Sequence, residues 1–336
     1  MNKSHEFSHW AGGFKYSPLC QDRILSCGQH EAYQQASELI EELSQIEVSD
    51  STIQRMCVHY GELLEGDLYD ADKRQSVLRK PQINPAQASE AQVAYVQFDG
   101  GFIFSDADWQ EVKLGRVFLA SDCRQHTGNK ARGNRIIHSE YAASLGHYST
   151  FTPKLCVLIE EVKQRGAPLV FITDGALWMK NWMQATYPEV VQILDFFHVC
   201  EHLGEFAKDV VSQLRKNYQL WWQRQQDDIR AGKIKQVIDR IKGLRITTQV
   251  GKQKRTKLLR YFTENQYRMK YKEYEAAGYM IGSGPIEAAH RTVVQKRMKL
   301  SGQRWSDNGA TPILNLRCAR KSGRWQMVRN IIKKAA

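Results

Sequence analysis

No run of some 18 apolar residues occurs in the chain, and its amino terminus has no signal-type apolar region. The expectation is therefore a protein that is neither membrane-spanning nor secreted, and so cytoplasmic. Cysteine is sparse: the seven, at 20, 27, 57, 123, 156, 200 and 318, form no Cys-x-x-Cys pair and no disulfide-like spacing, so they read as reduced, mostly buried thiols. A Gly-x-x-x-x-Gly-Lys phosphate loop is missing, which leaves ATP-driven chemistry unsupported. Internal repeats and low-complexity segments are also lacking. Finally, the second part of the chain is poor in acid. Residues 1–200 carry 18 Lys+Arg against 25 Asp+Glu; of the totals of 48 and 36, this leaves 30 against 11 for residues 201–336, a net +19. Trp and Tyr are interleaved with these cations, and that combination points to a polyanion partner, most simply nucleic acid.

What is present suggests an α/β protein. Residues 17–64 read as helical, with Ala32, Ala36, Leu39, Ile40 and Leu43 on one stripe, and Ser49-Asp-Ser-Thr offers amino-cap chemistry for a second helix through Ile53, Met56, Cys57 and Tyr60. The pair is compatible with a helix-turn-helix or with an ordinary helical hairpin. A polar linker is expected over 66–90. Strands are expected at 93–98, at 112–120 and, more weakly, near 135–142, as an antiparallel meander; a helix follows at 152–165, then a strand ending on Asp174, a helix over 176–185 and a short strand at 190–194. Residues 203–275 read as a helical insertion, and 316–334 as a basic tail. Four segments result: 1–88, a helical region that includes the linker; 89–205, the first part of the sheet; 206–280, the insertion; and 281–336, which completes the core.

Three acids stand out. Leu169-Val-Phe-Ile-Thr-Asp174-Gly is a buried strand that delivers a carboxylate at its carboxyl end, and Val93-Ala-Tyr-Val-Gln-Phe-Asp99-Gly-Gly repeats that grammar. Glu287, in Gly282-Ser-Gly-Pro-Ile-Glu287-Ala-Ala-His, opens a late helix, where the dipole favours negative charge. If the three converge they could clamp two Mg²⁺ or Mn²⁺ ions, since hard divalent cations take oxygen ligands and phosphodiester chemistry uses ions about 3.5–4 Å apart. His290 and Arg291, three and four residues after Glu287, are expected to approach substrate phosphates. Other candidate DNA contacts are Lys252, Lys254 and Arg255 in the insertion, and Arg297, Lys299, Arg304 and Trp305, where cations could hold phosphates and a Trp could stack on a base. Asp195 and His198 read as supporting residues. His198 and His202 have a zinc-compatible spacing, but no glutamate follows the first His and no third ligand is apparent.

These residues resemble the DDE transposases of bacterial insertion sequences, and among them the Kra-type group. The resemblance runs from about Ser17 to Trp325 and rests on Phe98-Asp99-Gly100, Ile172-Thr-Asp174-Gly-Ala-Leu-Trp178, Ile193-Leu-Asp195-Phe-Phe-His198-Val, and Gly282-Ser-Gly-Pro-Ile-Glu287-Ala-Ala followed by Arg297-Met-Lys-Leu-Ser301-Gly-Gln-Arg304-Trp305-Ser306. It implies an RNase H-like mixed sheet with flanking helices, interrupted by an all-helical insertion before the last acid. It further implies Asp99, Asp174 and Glu287 as the metal-binding triad, and an Asp-x-x-His motif at Asp195 and His198. The implied activity is cutting of double-stranded DNA at element ends and transfer into target DNA, by a homo-oligomer assembled on the DNA. Larger relatives carry a cysteine-rich segment that this chain lacks. A DNA-binding regulator derived from such an enzyme, or an RNase H-like nuclease, would share many of these features.

Overall fold

The computed structural model describes residues 13–75, 93–106, 108–125, 134–214 and 217–335. Two compact units divide the chain, and neither is continuous in sequence. One combines Met1–Ala94, Phe98–Pro168 and Ile286–Ala336, and the other Tyr95–Gln97 and Leu169–Pro285.

The first unit begins with α1 (Pro18–Gly28), α2 (Tyr33–Ser44), α3 (Asp50–Leu68) and α4 (Ala71–Gln75). Ser17 and Ser49 cap α1 and α3 by accepting bonds from Cys20 and Thr52 backbone N–H groups. Most of β1 (Ala94–Ser105) follows, then β2 (Asp108–Leu119), β3 (Cys123–Gln125), β4 (Asn134–Ile136), β5 (Glu140–Leu145) and α5 (Tyr148–Lys163). In the second unit are β6 (Leu169–Thr173), α6 (Leu177–Thr186), β7 (Val191–Leu194), α7 (Phe196–Asp209), α8 (Tyr218–Arg230), α9 (Ile234–Lys242), α10 (Gln249–Asn265) and α11 (Tyr271–Ala276). A late helix starts as α12 (Gly284–Ala289), continues as a π-helix over His290–Gln295 and ends as α13 (Lys296–Met298); α14 (Asp307–Lys321) and α15 (Trp325–Lys334) complete the first unit.

Five strands form one mixed sheet in the order β5-β2-β1-β6-β7, and β3 and β4 make a separate pair. β2 and β5 run antiparallel, β6 and β7 parallel. All five residues of β6 are buried, as the sequence Leu-Val-Phe-Ile-Thr requires of a strand covered on both faces. In the first unit the apolar faces of α1, α2, α3, α14 and α15 share one core with residues of β1, β2 and β5.

Five expectations need correction. Gly100 and Gly101 do not end a strand; both lie within β1, which continues to Ser105. The weak third strand is two short strands, β4 and β5. Of the expected linker, residues 66–68 end α3 and 71–75 form α4, whose Arg74 is anchored by ion pairs to Glu140 and Glu161; residues 76–90 lie outside the described ones. The basic tail is a pair of packed helices, in which Arg317 and Arg324 are buried and satisfied internally. Leu43, placed on the apolar stripe of the first hairpin, is exposed. The outward side of α3 offers little to phosphates, because the helix carries Arg55 as its only Lys or Arg against Asp50, Glu62, Glu65 and Asp67.

Candidate functional site

In the first unit, Asp99 lies within β1. Its Oδ1 accepts a bond from the Gly100 N–H at 2.7 Å, and its backbone carbonyl accepts one at 3.2 Å from His290 Nε2, which assigns the proton to that nitrogen. Gly101 lies beneath the imidazole: a Cβ there would stand 2.9 Å from His290 Nδ1. Burial holds His290 below the ordinary histidine range, so the ring is neutral near pH 7, and its 3.9 Å approach to Asp99 Oδ2 is no ion pair. His290 therefore fixes the backbone under Asp99 and does not present a cation to phosphates, contrary to expectation. Glu287 and Arg291 are both exposed. The turn that follows Glu287 widens into the π-helix at His290, a local irregularity often found at functional sites.

In the second unit, Asp174 follows β6 directly, and its Oδ1 accepts a bond from the Ala176 N–H at 3.0 Å, closing a tight turn. The insertion supports this turn. Tyr261 of α10 sits on Gly175, where a Cβ would fall 2.3 Å from Tyr261 Cε2, and the buried Arg268 reaches Thr173 Oγ1 at 3.4 Å. Asp195, 2 % exposed, caps α7: Oδ1 accepts from the N–H groups of Phe197 at 2.6 Å and His198 at 3.2 Å. Its Oδ2 accepts from the Ser283 N–H at 2.8 Å and from the Ser283 hydroxyl. Ser283, of a residue type suited to capping the late helix, is instead committed to Asp195, which thereby holds the segment that leads to Glu287. His198 and His202 stack edge to face with centroids 4.5 Å apart, and His202 also packs on Tyr261 at 4.7 Å. Burial, followed by the neighbouring His198, keeps His202 below its ordinary pKa.

The candidate DNA contacts divide into exposed and committed groups. Arg297 is fully buried; it bonds the Gly28 carbonyl at 3.1 Å and lies over the rings of Tyr33 and Trp305. Trp305, 8 % exposed, donates its indole N–H to the Met298 carbonyl at 3.2 Å. Neither can meet a phosphate or a base here, so both assignments are corrected: the aromatic and the cation are partners in the core. In the insertion, Lys254 pairs with Asp209 and Arg255 bonds the carbonyls of Lys242 and Leu244, while Lys252 is exposed. Lys299 and Arg304 are exposed and lie over the rings of Trp109 and Phe104. Sequence reasoning missed Tyr261, Phe104 and Trp109; only Gly175, next to Asp174, hinted at the first, since Tyr261 presses on it.

Among the described residues, no three His, Cys, Asp or Glu side chains form a group that could hold a metal ion. The donor chemistry of Asp99, Asp174 and Glu287 suits Mg²⁺ or Mn²⁺, but the acids belong to different units, Asp99 and Glu287 to the first and Asp174 to the second. No protein-family model matches the chain, and no curated protein matches it significantly. No described helix is long and apolar enough to cross a membrane.

Proposed function

We propose that the chain is a DNA-cutting and strand-joining enzyme of the transposase type, with an RNase H-like core and Asp99, Asp174 and Glu287 as ligands of two Mg²⁺ or Mn²⁺ ions. The observation that carries this reading is the setting of Asp174. A fully buried strand ends on this half-buried carboxylate, and two side chains of the helical insertion brace its turn. Support also comes from β1, which bears Asp99 and neighbours β6 in the sheet order, and from exposed Glu287 at the start of a helix. When bound, the ions would activate the attacking oxygen and stabilise the leaving one.

The protein's own residues prepare the ligands. His290 holds the β1 backbone at Asp99, the Asp174 turn is closed by its own bond to Ala176, and Asp195 fixes the Ser283 segment. Exposed Lys252, Arg291, Lys299 and Arg304 are the cations offered to double-stranded DNA, both element ends and target, with a homo-oligomer as the assembled form. The test uses DNA that flanks the protein's own coding sequence. In Mg²⁺ the wild type should yield 3′-hydroxyl ends, and Asp174→Asn should cut roughly 100-fold or more slowly. Equal cutting by both proteins would remove Asp174 from the chemistry. Salt-sensitive DNA binding with no product in any divalent metal would instead identify a regulator, and preferential cutting of RNA–DNA hybrids a nuclease.

A further inference from the structure

Two exposed aromatics of the first unit, Phe102 and Trp109, lie on the β1–β2 hairpin, with the partly buried Phe104 against Trp109. Alternation along β1 sends Ile103 and Ser105 inward and Phe102 and Phe104 outward. Phe104 meets Trp109 of β2 edge to face, centroids 5.7 Å apart, and Trp109 is 58 % exposed. A short stretch of the late chain lines this edge. Trp305 N–H donates to the Phe104 carbonyl at 3.0 Å and the Asp106 N–H to the Trp305 carbonyl at 2.9 Å, so Trp305 turns inward and Arg304 outward. A continuous ladder results: Lys299 Nζ lies 5.7 Å from the Trp109 centroid, Trp109 abuts Phe104, and the Arg304 guanidinium lies 5.6 Å from the Phe104 centroid.

Three carboxylates lie nearby, and each is already engaged. Asp106 accepts from the Asp307 N–H, Asp108 from the Trp109 N–H, and Asp307 from Ser105 and Gln110. Among the described residues, neither Lys299 nor Arg304 pairs with a carboxylate. Two cations without acidic partners, at either end of an exposed Trp109 and a partly buried Phe104, match a ligand that presents a flat π-face beside negative charge.

We propose that this ladder is a stacking platform for an unpaired nucleotide of single-stranded DNA, with Trp109 under the base and Lys299 and Arg304 at the flanking phosphates. Duplex DNA hides its base faces, so the preference is for a strand that is locally open. The proposal rests on the function proposed above only in taking DNA as the polyanion.

Its test compares two labelled ten-nucleotide probes of equal charge, oligothymidylate and an abasic strand, by fluorescence anisotropy. Wild-type protein should bind the thymidylate at least about 5-fold more tightly, the lower end of what one stacked base contributes. Trp109→Ala should abolish that ratio, with its affinity for a duplex and its unfolding temperature unchanged, and Trp109→Phe should retain part of it. Lys299→Ala and Arg304→Ala should weaken both probes alike and reduce the salt dependence by about 0.7 per lost phosphate contact. Equal wild-type affinity for the two probes, or an undiminished ratio in Trp109→Ala, would overturn the platform while leaving the proposed function standing if duplex still binds. Failure to bind any DNA would overturn both.

Discussion

At Gly101 the strand has room for a hydrogen atom and nothing larger, because a Cβ would stand 2.9 Å from His290 Nδ1. His290 cannot easily yield, since it is buried and its Nε2 bonds the Asp99 carbonyl. Gly101→Ala should therefore destabilise the fold by about 1–3 kcal/mol, the usual range for overpacking. In a His290→Ala background the same substitution should cost roughly 1 kcal/mol less, a coupling that a double-mutant cycle by urea unfolding would read. Additive effects would mean that the two residues do not press on each other. His290, spaced to share a face with Glu287, is buried where Glu287 is exposed, and the π-helix begins at this residue.

Among the elements, the junction of β7 and α7 depends most on one side chain. Asp195 caps α7 with one oxygen and holds Ser283 with the other. Asn caps helices about as well as Asp, so Asp195→Asn isolates the second task. It should lower stability by about 1–3 kcal/mol, the range for weakening charge-assisted bonds at a buried site, with the change measured as a lower urea midpoint at unchanged slope. An unchanged midpoint would show that the Ser283 segment is held by other contacts. Much of the element order was legible: the apolar run before Asp174 and the capping residues at Ser49 announce β6 and α3. What was not legible had physical causes. Gly-Gly has the composition of a turn, yet here both glycines lie in a strand where large side chains close in. A cation beside a Trp, as at Arg297 and Trp305, looks alike whether it meets a phosphate or packs inside, because sequence spacing does not tell which way a side chain faces. The late arginines looked like a tail until the buried faces of α14 and α15 took up Arg317 and Arg324.

For the whole molecule, the basic balance overstates the charge offered to a partner, since Arg268, Arg297, Arg317 and Arg324 are all buried. One internal network joins distant parts of the first unit: Arg74 and Arg324 each pair with both Glu140 and Glu161. Burial alone would raise the Glu140 pKa, but the bond from His138 and the charges of Arg74 and Arg324 outweigh it and bring it down to about 2 from an ordinary 4.5. A depressed carboxylate contributes stability that is present above its unfolded pKa and lost as pH falls through its folded one. Glu140→Gln should accordingly cost about 3 kcal/mol at pH 7. The gap from wild type should close between pH 4.5 and about 2 in unfolding curves recorded across that range. A gap independent of pH would contradict the ionic account of this network.

In the proposed site Asp99, Asp174 and Glu287 together hold two divalent ions. Manganese uptake, followed by loss of the free-ion paramagnetic signal, tests it most directly when measured for the protein on a short duplex and corrected for the duplex alone. Wild type should take up two ions per chain, and tight uptake should be lost in Asp99→Asn, Asp174→Asn and Glu287→Gln, with DNA binding retained. The same uptake by wild type and by a protein carrying all three substitutions would contradict the assignment of the ions to these acids.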